Sequence, residues 1–308
     1  MAMTAFVFPG QGSQYVGMGK DFYDNFPEAR FVFESASEAI NEDMAALCFN
    51  SDEEILSLTA NAQPAILTVS AATLAVLEKE TDIRPDFVAG HSLGEYSALV
   101  AAGAIEFADT VKIVRKRGEF MQEAVPSGEG AMAAIIGLKK DEVEQVCENC
   151  SGGGAKNVWP ANYNSPEQTV ISGRADEVEK ASKISIERGA KRAIPLKVSA
   201  PFHCPLMSPA AEKLVQTLES VKISEAHVPV ITNLEAAPNT DPERVKEILL
   251  LQITNPVRWS ESVEYMKERN ANKFIEIGPG KALCGLIKRT VKNLETSNLE
   301  MTEQLHKI

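Results

Sequence analysis

Apolar positions in the first half of the chain form short runs separated by stretches with helical spacing. Residues 5–8 are a four-residue apolar run that stops at Pro9-Gly10, which predicts a strand. Residues 64–80 carry apolar side chains at helical intervals, with Pro64 in what would be the first turn. Residues 87–89 read as a short buried strand, and residues 93–102 as a helix that follows at once. Strands alternating with helices predict a largely parallel sheet covered on both faces. Gly128-Glu129-Gly130 breaks this rhythm. Beyond it come a strand over 131–138, a helix over 141–150, a turn at Ser151-Gly152-Gly153-Gly154 and two strands, 157–163 and 168–172, joined at Asn164-Ser165-Pro166. A helix over 175–188 ends at Gly189, and a strand over 192–198 follows. The order β-α-β-β-α-β is that of a ferredoxin-like unit. It predicts a small inserted subdomain over residues 127–198, between the first (1–126) and second (199–308) parts of a large α/β domain. In that second part, helices are expected over 209–221 and 242–252, strands over 228–232 and 273–277, and a helix after Gly278-Pro279-Gly280. The last dozen residues are polar and are expected to fray.

Composition narrows the class. With 308 residues, 44% hydrophobic and 24% charged, the chain can bury a full core. A net charge of −12 argues against general nucleic-acid binding. No run approaches the roughly 20 uninterrupted apolar residues of a membrane span, and the N-terminus lacks the basic start of a signal peptide, so a cytoplasmic location is expected. The five cysteines (Cys48, Cys147, Cys150, Cys204, Cys284) are odd in number and scattered, unlike a disulfide framework. Cys147-x-x-Cys150 is the one close pair. With no second ligand pair, it reads as two free thiols at a helix end rather than a redox or metal motif.

The strongest chemical signal is Gly90-His91-Ser92-Leu93-Gly94, a G-x-S-x-G between a buried strand and a helix. Its glycines permit a tight turn that raises the serine hydroxyl, and the helix start favours developing negative charge. A nucleophilic serine needs a base. The chain has four histidines. His91 adjoins the serine in the turn and should point elsewhere, and His306 lies in the tail. His227 precedes a strand and looks structural or solvated. His203, in Ser199-Ala200-Pro201-Phe202-His203-Cys204-Pro205, is bracketed by prolines in a stiff loop and is favoured over His227. No Asp or Glu stands at an obvious strand-end turn between Ser92 and His203, so the third member of a triad is not supplied. Phe8-Pro9-Gly10-Gln11-Gly12-Ser13-Gln14 is glycine-rich but lacks the Walker lysine and the third glycine of a dinucleotide loop. It reads as a simple turn or as a source of backbone N–H groups for an oxyanion. The helix over 106–125 carries an apolar stripe flanked by Arg115 and Arg117, and periodicity does not choose between them.

Together these landmarks, with Gln63-Pro64, Arg117-Gly118 and Gly278-Pro279-Gly280-Lys281, resemble the malonyl-CoA:acyl carrier protein transacylases of fatty-acid synthesis. The acyltransferase domains of polyketide synthases share the pattern. The resemblance covers nearly the whole chain. It implies a hydrolase-like α/β domain with a ferredoxin-like insert, Ser92 as nucleophile and His203 as base. The backbone N–H groups of Gln11 and Leu93 would form the oxyanion hole, and Arg117 would pair with the malonyl carboxylate. Gln63 and Asn162 would line the pocket. The carbonyl of Gln252 would orient His203 in place of an acid. The partners implied are malonyl-CoA, as a coenzyme A thioester substrate, and acyl carrier protein, with no bound cofactor and no metal. Because carriers of this pathway are acidic, a local basic patch at Lys281, Lys288 and Arg289 is expected to dock them, with Lys191, Arg192 and Lys197 as the next candidates. Phe202 resembles the malonyl-selective form of the motif. An acyltransferase serving a polyketide synthase, a thioesterase or esterase, and a non-catalytic binding module are the rival readings. A neutral acyl chain has no use for a guanidinium, and an intact serine–histidine pair argues against a module.

Overall fold

The computed structural model describes residues 3–126, 128–150, 156–198 and 200–308. The turn expected at 151–154, and Ser199, lie outside the described residues. Among these, the strands are β1 (Met3–Phe8), β2 (Phe87–Gly90), β3 (Gly130–Ile136), β4 (Val158–Ser165), β5 (Gln168–Arg174), β6 (Arg192–Pro195), β7 (Val230–Ile231), β8 (Pro238–Asn239), β9 (Ala271–Ile277) and β10 (Glu295–Leu299). The helices are α1 (Lys20–Asn25), α2 (Pro27–Ile40), α3 (Met44–Asn50), α4 (Glu53–Ser57), α5 (Thr59–Glu80), α6 (Gly94–Ala101), α7 (Phe107–Glu123), α8 (Lys140–Cys150), α9 (Ala175–Glu187), α10 (Ser208–Glu219), α11 (Pro242–Thr254), α12 (Trp259–Glu268) and α13 (Ala282–Thr290). Short 3-10 turns follow at Pro205–Met207 and Thr302–Lys307.

The larger sheet has the order β10-β9-β1-β2-β7-β8 and is parallel except for β8. The smaller sheet, β4-β5-β3-β6, is antiparallel throughout and comes from the chain between the two halves of the larger one. The strand β1 is buried along Ala5–Phe8, as a central strand covered on both faces must be. The small sheet is tied through backbone to the α11–α12 connection: Val257 N–H donates to Ala161 O (2.9 Å) and Tyr163 N–H to Val257 O (2.9 Å).

Helix α5 is the spine of the core, packed against α2, α6 and α7. Its length and mean hydropathy of 1.4 would suit a membrane span, yet 83% of that window is buried inside the protein. It starts at Thr59, five residues before the expected start, so Pro64 lies within the helix. Proline has no N–H for the carbonyl four residues back. That orphaned acceptor, Ala60 O, takes a hydrogen bond from Arg115 Nη1 at 3.2 Å.

Two further expectations change. The C-terminus is not frayed: β10 extends the large sheet beside β9, Leu299 and Leu305 are buried, and Thr302 N–H donates to Asp21 Oδ2. Its polar sequence reflects an edge strand with side chains half in water. The strand expected over 192–198 ends at Pro195, where the chain leaves the sheet towards the cleft described next. Cys147 and Cys150 are buried free thiols on α8 that pack into the small core.

Candidate active site

At the C-terminal end of β2 the chain turns sharply into α6, and Ser92 sits at the turn with φ 52°. A left-handed backbone costs a non-glycine residue about 1–2 kcal/mol, so the neighbours must enforce it. A Cβ on Gly90 would lie 1.9 Å from the backbone of Gly94, and one on Gly94 would lie 2.1 Å from Phe8 O. The two motif glycines thus let strand, turn and helix touch. Asn233, just beyond β7, fastens the turn: its Oδ1 accepts from Ser92 N–H (2.7 Å) and its Nδ2 donates to Gly90 O (2.6 Å).

His203 is buried, with Nε2 2.7 Å from Ser92 Oγ and Nδ1 2.8 Å from Gln252 O. A carbonyl accepts only, so Nδ1 carries the hydrogen and Nε2 is free to accept from the serine. Its backbone is also left-handed (φ 59°). Burial, then the Arg117 charge nearby, pushes its pKa down to about 3. Among the described residues no other histidine bonds Ser92 Oγ, although His91 also lines the cleft. His91 turns to Asn164 Oδ1 (2.8 Å) and tilts over Trp259, His227 is exposed against Gly103, and His306 is in the terminal 3-10 turn.

Arg117 lies on the inner face of α7 and is 1% exposed. Nη1 donates to Gln63 Oε1 (2.8 Å), and Nη2 to Gln252 Oε1 (2.9 Å) and Ser92 Oγ (3.2 Å). The guanidinium also lies over the Tyr96 ring at 5.4 Å. Arg115, on the other flank, is committed to Ala60 O, Asn61, Glu42 and Glu119. Gly118 leaves no open space beside Arg117, because the start of α5 packs there and a Cβ would meet Thr59 O at 2.6 Å.

Behind the serine lies Glu95, 1% exposed, whose Oε2 accepts from Asn233 N–H (2.9 Å) and Gln252 Nε2 (2.8 Å). Burial raises its pKa to about 7 against the pull of those donors and of Arg117. Gln252 Nε2 also donates to Ser92 O (3.1 Å).

In front of the serine is a cleft of about 680 Å³. Gln11, Gln63, Leu93, Asn162, Phe202 and both members of the Ser92–His203 pair line it. Among the described residues the amides of Gln11 and Leu93 have no protein acceptor, and α6 begins just after Leu93. Glu53, Glu54 and Lys197 also line the cleft. Lys281, Lys288 and Arg289 are exposed but do not line the cleft; Gly280, next to Lys281, abuts Ser13 of the first loop.

Three contributors escaped sequence reasoning: Asn233, Glu95 and the side chain of Gln252. Glu95 directly follows the serine motif and has an apolar helix around it, which is a signal of a buried acid. Asn233 carries only the weak signal of a polar residue just beyond a short apolar strand.

The sequence model of the acyl transferase domain matches residues 5–307. The chain is 53% identical over 298 residues to the malonyl CoA-acyl carrier protein transacylase of Bacillus subtilis, covering 96% of this chain and 93% of that one. An acyl carrier protein S-malonyltransferase from Vibrio cholerae superposes with a TM-score of 0.96 at 45% identity, covering 99% of each chain. A malonyl-transacylase in complex with a type II polyketide acyl-carrier protein does so at 0.96 and 42% identity, covering 99% of this chain and 98% of that one. With likeness of sequence and fold over nearly its whole length, this chain belongs to the acyl transferase family, among the malonyl-CoA:acyl carrier protein transacylases.

Proposed function

We propose that the chain transfers a malonyl group from malonyl-CoA to the phosphopantetheine thiol of acyl carrier protein through a malonyl ester on Ser92, supplying fatty-acid elongation. The observation that carries this reading is the convergence of His203 Nε2 and Arg117 Nη2 on one atom, Ser92 Oγ, at 2.7 and 3.2 Å. His203 takes the hydroxyl proton as Oγ bonds to the thioester carbon. The amides of Gln11 and Leu93 stabilise the resulting oxyanion. The C–S bond then breaks, and His203 returns the proton to the coenzyme A sulfur. In the second half the carrier thiol gives its proton to His203, its sulfur attacks the ester, and Oγ leaves and regains the proton. Arg117 holds the malonyl carboxylate, a planar fork meeting a planar anion, and Gln63 and Asn162 line the site. The carbonyl of Gln252 takes the place of a triad acid.

The architecture suits these roles as a hydrolase-like α/β domain, 1–126 and 199–308, with a ferredoxin-like subdomain at 127–198 roofing the cleft. The carrier docks through Lys281, Lys288 and Arg289. The reaction uses a coenzyme A thioester as substrate and needs no bound cofactor; a cytoplasmic location fits it. Replacing Arg117 tests the reading. Arg117→Ala should lose malonyl transfer far more than acetyl transfer, by a factor of a hundred or so for about 3 kcal/mol of unpaired buried charge. Equal loss with both donors would reduce Arg117 to a structural part.

A further inference from the structure

Gln252 meets the site through two different groups. Its main-chain carbonyl holds His203 Nδ1, while its side-chain amide lies between Arg117 and Glu95. The amide has one orientation that satisfies all neighbours: Oε1 towards the cation, Nε2 towards the carboxylate and Ser92 O. Glu95 in turn is fixed by the Asn233 amide, and Asn233 Oδ1 by the Ser92 amide. Gln252, Arg117, Glu95 and Asn233 are each 1% exposed or less. A buried guanidinium gains direction from such neutral acceptors, and Glu95, one hydrogen bond beyond Gln252, favours its charge.

We propose that the Gln252 side chain, held by Glu95, is a specificity-determining positioning group that aims the Arg117 guanidinium at the acyl site over Ser92, separately from the orientation of His203 by its own carbonyl. Gln63 holds the other terminal nitrogen, at 2.8 Å, so the two glutamines clamp the fork from both sides. Only the Gln252 arm continues to a carboxylate. The main-chain bond to His203 survives any side-chain change at this position, so acid selection and general-base chemistry are separable by substitution.

This inference rests on Arg117 binding the malonyl carboxylate, and the experiment separates the two. The malonyl-CoA to acetyl-CoA ratio of kcat/KM is measured for the intact chain, Arg117→Ala, Gln252→Met and Gln252→Glu. Methionine fills the space but neither accepts from Arg117 nor donates to Glu95. The expected result for Gln252→Met is a tenfold or greater fall in the ratio, carried mainly by a raised KM for malonyl-CoA. Gln252→Glu keeps the shape and remains usable if the methionine variant fails to fold. Its carboxyl pairs with Arg117 in place of the substrate, so the ratio should fall further still. A merely structural role would lower both donors alike and leave the ratio unmoved. If Arg117→Ala lowers the ratio and neither Gln252 variant does, the positioning role is wrong. If Arg117→Ala itself leaves the ratio intact, the carboxylate reading falls and this inference falls with it.

Discussion

His203 can act as a base only while it is neutral, and the buried site keeps it so. Its pKa lies near 3 in the folded chain against 6.5 for an ordinary imidazole, because burial and the Arg117 charge both oppose protonation. A depressed folded pKa favours the neutral form, so the base persists as pH falls through 6.5. The stability this group contributes is present above 6.5 and drains away towards about 3. Ser92 labelling by a neutral fluorophosphonate should therefore keep its rate from pH 8 to pH 5; a clear inflection near 6.5 would mean the histidine titrates normally. Ser92 and His203 were legible as residues because each carries a motif. The absence of a carboxylate partner was legible too, as a missing acid in the stretch between them. Glu95, Asn233 and the Gln252 amide were not, because their meaning lies in contacts made across 135 to 160 positions of chain.

Helix α7 carries Arg117, which reaches Ser92 Oγ, and its seat on α5 depends on one absent side chain. A methyl at Gly118 would meet Thr59 O at 2.6 Å and Ala60 Cα at 2.8 Å, both backbone atoms that cannot step aside. Gly285, inside α13, faces open space. Gly118→Ala should therefore destabilise by roughly 1–3 kcal/mol, the range for overpacking. Gly285→Ala should stabilise by about 0.5–1 kcal/mol through helix propensity. Urea midpoints of the two variants decide this, and a shift in the same direction for both would contradict the packing. The apolar stripe of α7 was readable from its spacing, but the choice between Arg115 and Arg117 was not. Both flank the stripe, and Arg115 is claimed by Ala60 O, an acceptor freed by a proline 51 positions earlier in the chain. Helices α1, α3 and α4 carry little signal because each is 5 to 7 residues long, whereas α2, at 14 residues, and α12, at 10, are long enough to read and were missed. The ordered C-terminus was missed because an edge strand half in water has little apolar alternation to announce it.

At the scale of the molecule, a chain of net charge −12 would repel the acidic carrier that the family resemblance implies. The electrostatic cost is offset only where cations cluster near the cleft. Reversing Lys288 and Arg289 to Glu should raise the carrier KM severalfold at low salt, with the effect shrinking as salt screens the field, while the malonyl-CoA half-reaction keeps its rate. If carrier kinetics are untouched, the docking side lies nearer Lys197, which lines the cleft, and the same reversal at Arg192 and Lys197 should act instead. The two-sheet plan was legible because strand and helix periods switch at Gly128-Glu129-Gly130, and the order of the short motifs fixed what the sheets support. That Lys197 lines the cleft was not legible, since it depends on how the chain leaves β6. The central claim, a malonyl group held on one serine between two thiols, has a direct test. The protein is incubated with malonyl-CoA, its intact mass is measured, and the modified peptide is sequenced. The expected result is a single added malonyl on the peptide containing Ser92, lost when holo carrier protein is added and absent in Ser92→Ala. Label retained in Ser92→Ala, or a wild-type chain that never becomes acylated, would contradict it.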